Sequence, residues 1–250
     1  MIKNLIVCGD SFYATSQSKI NGFDFTGTHW SELVSKKLNL NLINLAMRGC
    51  SNRAIAFQIH HASSIPNSIV IAGWAAANER VEFSKSYIEY PVRLEHFDYR
   101  FANQIHPLKD QLSKNSEQIV SAGIPSIPDP EIQSFFLKYF PTATLVLIDT
   151  WVVLASLRLL KTKNVPIIFV ENRCGTLPQT ETENILAFID EQDLLRAKDL
   201  NLFENMYENP HSPLDCGYHT HPDEQKRIAE YLYLRLKIRI KDYENSISKN

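Results

Sequence analysis

The chain of 250 residues lacks any uninterrupted apolar run of the length a membrane-spanning helix needs, which is about 20 residues. It has only four cysteines, Cys8, Cys50, Cys174 and Cys216, and none forms a C-x-x-C pair. A disulfide framework is therefore not expected, and reduced thiols are the default. Neither sign of charge dominates: 26 Lys and Arg stand against 28 Asp and Glu, a formal net charge of −2. That balance argues against a general attraction to nucleic acid or to an anionic membrane. There is no basic leader followed by an apolar segment and a small-residue cleavage site. These absences predict a cytoplasmic protein with neither a nucleic-acid nor a membrane partner. No internal repeat or low-complexity linker divides the chain, so one domain over 1–250 is expected.

What is present begins at once. Lys3-Asn4-Leu5-Ile6-Val7-Cys8 is an apolar run of strand length, and it stops in Gly9-Asp10-Ser11-Phe12. In open α/β sheets, ligands sit beyond the carboxyl ends of the strands. A hydroxyl placed there is well sited to act as a nucleophile. Gly9 is expected to permit a sharp turn, although Asp and Ser are also ordinary turn residues. Residues 12–27 are mostly polar and read as a loop over this strand end.

The chain then alternates. Thr28 is placed to cap a helix over 29–38, with Trp30, Leu33, Val34 and Leu38 on one face. A second strand is expected over 41–46. Ser51 or Asn52 caps a helix over 53–61, which Pro66-Asn67 ends. Ser68 to Gly73 is continuously apolar after its first residue, as a strand covered on both faces should be. This β-α-β-α-β order predicts a parallel, doubly wound sheet. From Trp74 to Pro130 the pattern weakens and aromatics alternate with charges. A segment of this length is usually an insertion. The part over about 80–130 is either a lid or binding segment or plain surface decoration. Helix returns over 131–163, broken or kinked at Pro141. In it Asp149 reads as an exposed or hydrogen-bonded residue. A fourth strand covers 165–170 with Pro166 at its start. Short helical pieces are expected over 185–190 and 192–198. A final helix over 223–242 follows Pro222, and its basic cluster, Arg235, Lys237, Arg239 and Lys241, reads as a solvated face.

Three strand ends thus converge on one crevice: the first brings Ser11, the second Gly49, and the third Gly73 with Asn78 shortly after. The loop before the last helix brings His221. This is the parts list of acyl transfer. A serine hydroxyl needs a base to take its proton, and histidine is the usual one near neutral pH. The oxyanion needs fixed donors, and losing one costs about 3–4 kcal/mol in the transition state. Asn78 fits either that role or the N-cap of a following segment. Cys216, His219 and His221 are close in sequence, but a fourth ligand is not evident and no metal is expected.

The order of these motifs resembles the SGNH hydrolases, the GDSL-type esterases and lipases. Gly9-Asp10-Ser11 looks like the first block, which holds the nucleophile. Asn44-Leu45-Ala46 with Gly49, Ser51 and Asn52 looks like the second, whose glycine donates an oxyanion N–H. Gly73 through Asn78 looks like a stretched third block, and His221-Pro222 like the end of the fifth, which holds the base. Trp74 and the Asn78 to Phe83 stretch are similar to divergent SGNH-like proteins from phages and bacteria. There Arg80 would pair with Glu82 or bind an anionic substrate group. The resemblance implies a flavodoxin-like three-layer α/β/α sandwich with a central parallel sheet and an insertion after the third strand.

The implied site has Ser11 and His221 as catalytic residues. Its oxyanion hole draws on Ser11, Gly49 and Asn78, and Asp10, Asn52, Trp74 and Arg80 lie beside the substrate. No cofactor is implied. In two places the chain departs from the family. Trp74 and three alanines lengthen the third block, and the position three before the histidine is Tyr218 where the family has its acid. Asp215 is the nearest carboxylate upstream and takes the acid's place in this reading, the other option being a Ser-His dyad. The resemblance implies a serine esterase or deacylase acting on a small acyl ester or an O-acetylated carbohydrate. An O-acyltransferase and a non-catalytic glycan- or protein-binding module are the alternatives.

Overall fold

A computed structural model of the chain describes residues 1–10, 13–14, 19–20, 23–24, 27–46, 51–73, 80–84, 119–123, 127, 130–140, 142–170, 189, 193–195 and 222–248. Its centre is a parallel sheet of β1 (Asn4–Cys8), β4 (Asn41–Asn44), β5 (Ser68–Gly73), β8 (Ile167–Val170) and the short β9 (Leu194–Leu195). They lie in the order β4-β1-β5-β8-β9. The first strand is therefore interior. The chain builds outward from it to β4, then reverses to add β5, β8 and β9. The switch point of this flavodoxin-like order falls between β1 and β5. There Cys8 is in register with Ala72.

Alternation along each strand divides the core into two layers. On one face Ile6, Cys8, Val70, Ala72 and Phe169 pack against α2 (Asn52–Ala62) and α4 (Thr142–Thr162). On the other Leu5, Val7, Ile69, Ile71 and Val170 pack against α1 (Trp30–Leu38) and α5 (Pro222–Ile247). All six residues of β5 are buried, which accounts for its unbroken apolar sequence. Strand β4, at the edge, is only half-buried. Three returns from helix to strand turn on asparagine in the left-handed region: Asn39 before β4, Asn67 before β5 and Asn164 before β8, with φ of 54°, 54° and 52°. Asparagine tolerates that conformation better than most residues.

Several expectations change. The cap of α1 is His29, not Thr28. Its ring nitrogen accepts the Ser31 N–H at 3.3 Å, and Glu32 closes a capping box. The second strand ends at Asn44, and β8 begins only after Pro166. The 12–27 segment is not all loop: Tyr13 and Ala14 belong to the core, and β2 (Lys19–Ile20) pairs antiparallel with β3 (Phe23–Asp24). The break expected at Pro141 does occur and gives two helices, α3 (Pro130–Tyr139) and α4. Leu194 and Leu195, expected as helix, add a strand beside β8, where neighbouring backbone satisfies their amides. The last helix runs on to Ile247. Its basic cluster is not wholly solvated, since Arg239 pairs with the buried Asp193 at 2.6 Å. The expected piece over 185–190 lies almost entirely outside the described residues.

After β5 the chain leaves the sheet. Strands β6 (Arg80–Ser84) and β7 (Ile119–Gly123) form a separate antiparallel pair, with Arg80 opposite Gly123. This ribbon and the buried Ile127 lie within the segment read as the insertion. No described helix is long and apolar enough to cross a membrane.

Candidate functional site

The carboxyl end of β1 is built with unusual care for a strand end. Gly9 lies one residue past the ladder, and its two peptide groups meet a side chain. The buried side chain of Gln58, from α2, takes both. The Gly9 N–H donates to Gln58 Oε1 at 2.7 Å, and Gln58 Nε2 donates to the Gly9 carbonyl at 3.1 Å. A buried amide is costly unless its groups are paired, and here the two costs cancel each other.

Asp10 follows, and the Tyr13 N–H donates to its carbonyl at 3.1 Å, closing a four-residue turn from Asp10 to Tyr13. The turn is anchored on its far side by Asn44, at the end of β4. Asn44 Nδ2 donates to the Tyr13 carbonyl at 2.7 Å, while Asn44 Oδ1 accepts the Ala46 N–H at 2.9 Å. The Tyr13 ring folds back across the switch point. A β-carbon on Gly9 would collide with Cδ2 and Cγ of that ring, and one on Gly73 with its hydroxyl and Cζ. Gly9 does not have a positive φ. The chain bends at Gly9, as expected, and what makes it glycine is the room it leaves for an aromatic ring.

From Tyr13 the contacts continue toward the other end of the chain. Its ring meets Trp30 edge-on, with centroids 6.0 Å apart at 88°, a favoured aromatic geometry. The Trp30 N–H opens α1 and has no partner within the helix. It donates to Oε1 of the buried Gln225 at 2.9 Å. Gln225 sits in the first turn of α5, three residues after Pro222. Tyr13, Trp30 and Gln225 thus form a chain of contacts from the end of β1 to the first turn of α5.

Of the residues singled out from sequence, Ser11, Gly49, Trp74, Asn78, Asp215 and His221 lie outside the described residues, as do Cys216, His219 and Tyr218. Arg80 is described only as the first residue of β6. Asp10 lies two residues past the end of β1 and Asn52 is the first residue of α2; both are deeply buried, 6% and 2% exposed. Ser51 caps α2, accepting the Ala54 N–H at 3.2 Å. Asp149 is buried on α4 and accepts from Arg53 of α2 at 2.8 Å. No group of three His, Cys, Asp or Glu that could hold a metal occurs among the described residues. Cys8, adjacent to Gly9, is fully buried, and burial pushes its thiol well above the ordinary range.

Sequence reasoning missed Tyr13, Gln58 and Gln225. A signal existed for the two glutamines. Gln58 falls on the buried stripe Ser51, Ile55, Gln58 and Ala62 of α2. Gln225 falls on the stripe Gln225, Ile228, Leu232 and Leu236 of α5. A polar residue on an otherwise buried helical face is informative.

In sequence, no protein family and no curated protein matches this chain. In structure there are matches. A crystal structure of TesA aligns over 94% of this chain and 98% of its own, with a TM-score of 0.51 and 12% identity. The psychrotrophic esterase EstA from Pseudoalteromonas sp., inhibited by monoethylphosphonate, covers 97% of this chain and 99% of its own at a TM-score of 0.49 and 12% identity. A carbohydrate esterase structure covers 94% of this chain and 68% of its own at 0.47 and 9%. The likeness is one of fold. This chain has the SGNH hydrolase fold, a three-layer α/β/α sandwich.

Proposed function

We propose that the protein is a serine esterase or deacylase of the SGNH type, acting on a small acyl ester or an O-acetylated carbohydrate. The observation that carries this reading is the turn from Asp10 to Tyr13. It stands beside the switch point of the sheet and is held there from β4, α1 and α2. The sequence puts a serine inside that turn and a histidine immediately before α5.

In this reading Ser11 Oγ attacks the acyl carbon while His221 takes the hydroxyl proton. The N–H groups of Ser11 and Gly49, with the Asn78 side chain, stabilise the oxyanion. Collapse breaks the ester bond, and His221 returns the proton to the departing alcohol. Water, activated by His221, then releases the acid and restores Ser11. Asp215 orients the imidazole if the loop brings it there; otherwise the pair works as a dyad. Trp74 and Arg80, at the start of the insertion, belong to the substrate side, and Asp10 and Asn52 brace its floor. The insertion over about 80–130 serves as a lid or binding segment.

A fluorophosphonate probe tests the reading. It should label the wild-type protein and leave Ser11→Ala unlabelled. Equal labelling of both would remove Ser11 from the mechanism. If a sugar hydroxyl replaces water as acceptor, the same residues make an O-acyltransferase, which product analysis with added glycans distinguishes.

One observation favours a second reading. With Tyr218 in the acid's position and a lengthened third block, the scaffold suits a non-catalytic binding module for a glycan or protein. Measurable glycan binding with no turnover on a broad ester panel would support that reading over the first.

A further inference from the structure

We propose that Gln58 is a positioning residue for the nucleophile turn. The proposal rests on the reading of Ser11 as nucleophile. Gly9 is the last point at which the rigid sheet can direct the chain before Ser11, and it has already left the β1 ladder. Gln58 holds it with one primary amide, which accepts from the Gly9 N–H and donates to its carbonyl. Two hydrogen bonds of opposite sense to one residue fix the peptide planes on either side of it as well as its place.

The same helix carries the second half of the site. Ser51, its cap, and Asn52, its first residue, follow directly on Gly49 and Cys50. Along α2, Ile55 and Ile59 are fully buried against the sheet. The Arg53 ion pair ties the helix to α4. Gln58 therefore refers the nucleophile turn to the element that follows the proposed oxyanion glycine. Catalysis requires those two parts to hold a common geometry, because small misplacements of reacting groups cost rate steeply.

The test compares Gln58→Met, which keeps the length of the side chain and removes both hydrogen bonds, with Ile59→Val on the same helix. The latter loosens the core without touching Gly9. Fluorophosphonate labelling is measured on folded protein, separating the limiting rate from the affinity of the probe. In Gln58→Met the limiting rate should fall about 10²-fold, with affinity held within about twofold, the pattern of a lost transition-state geometry. Ile59→Val should keep the wild-type rate. A Gln58→Met rate equal to that of Ile59→Val would overturn the proposal. Should Gln58→Met fail to fold, Gln58→Glu retains the acceptor and is judged by the same comparison.

Hydrogen exchange at the Gly9 amide gives a second readout. It should be slow in the wild type and at least about tenfold faster in the Gln58 variant, since the opening no longer breaks a buried bond. Equal exchange would overturn the hold of Gln58 on the turn. Absence of labelling in the wild type would instead overturn the hydrolase reading, and the exchange rate would still judge Gln58 by itself.

Discussion

Tyr13 occupies the space that a β-carbon on Gly73 would need. The clash would be with its hydroxyl and Cζ, while the other end of the ring lies against Gly9. One side chain thus spans the ends of β1 and β5, the two strands on either side of the switch point. The prediction is that Gly73→Ala destabilises the protein by about 1–3 kcal/mol through overpacking. Tyr13→Leu should remove much of that penalty. In a double-mutant cycle by urea denaturation the pair should be non-additive by at least about 0.5 kcal/mol. Simple additivity would mean that the ring moves aside freely.

Arg53 and Asp149 join α2 to α4 through a 2.8 Å ion pair, with side chains 23% and 4% exposed. The carboxylate is the buried member, so removing the guanidinium leaves it worse solvated than before. Arg53→Ala should cost about 1.5–3 kcal/mol, the range for hydrogen bonds to charged groups. Replacing Asp149 by Asn in that background should recover part of the loss, because the buried group is then neutral. Thermal denaturation of the wild type and these two variants measures this. An Arg53→Ala protein with wild-type stability would show the pair to be energetically idle.

Cys8 stands next to Gly9 but should take no part in chemistry. Its thiol is fully buried, and desolvation opposes the thiolate. Since the thiolate is the reactive form, iodoacetamide at mildly alkaline pH should leave Cys8 unmodified in the folded protein. It should react at an ordinary rate in denaturant. Peptide mass spectrometry distinguishes Cys8 from the other three cysteines. Modification in the native state would mean that the strand end opens readily.

Much of the architecture was legible because it depends on local pattern. The limits of β5 follow from an apolar run between Asn67 and the segment after Gly73. The break between α3 and α4 follows from Pro141, which cannot continue the first helix's hydrogen bonds. Harder to read were elements whose identity is settled by a neighbour. Leu194 and Leu195 suit a helix as well as a strand, and only the open edge of β8 makes them extended. His29 caps α1 in preference to Thr28 because its ring and Glu32 close the box together.

At the candidate site the division is sharper. The order of residues alone established that the first strand stops just before Gly9-Asp10 and that Pro222 opens the last helix. Covalent sequence and short-range periodicity suffice for that. It could not reveal that Gln58 holds Gly9, that Tyr13 lies between two strand ends, or that Gln225 reaches the first amide of α1. Those pairings join residues 49 and 195 positions apart for the two glutamines. They form only once both helices have docked on the sheet, because a buried amide finds its partner through packing and not through proximity along the chain.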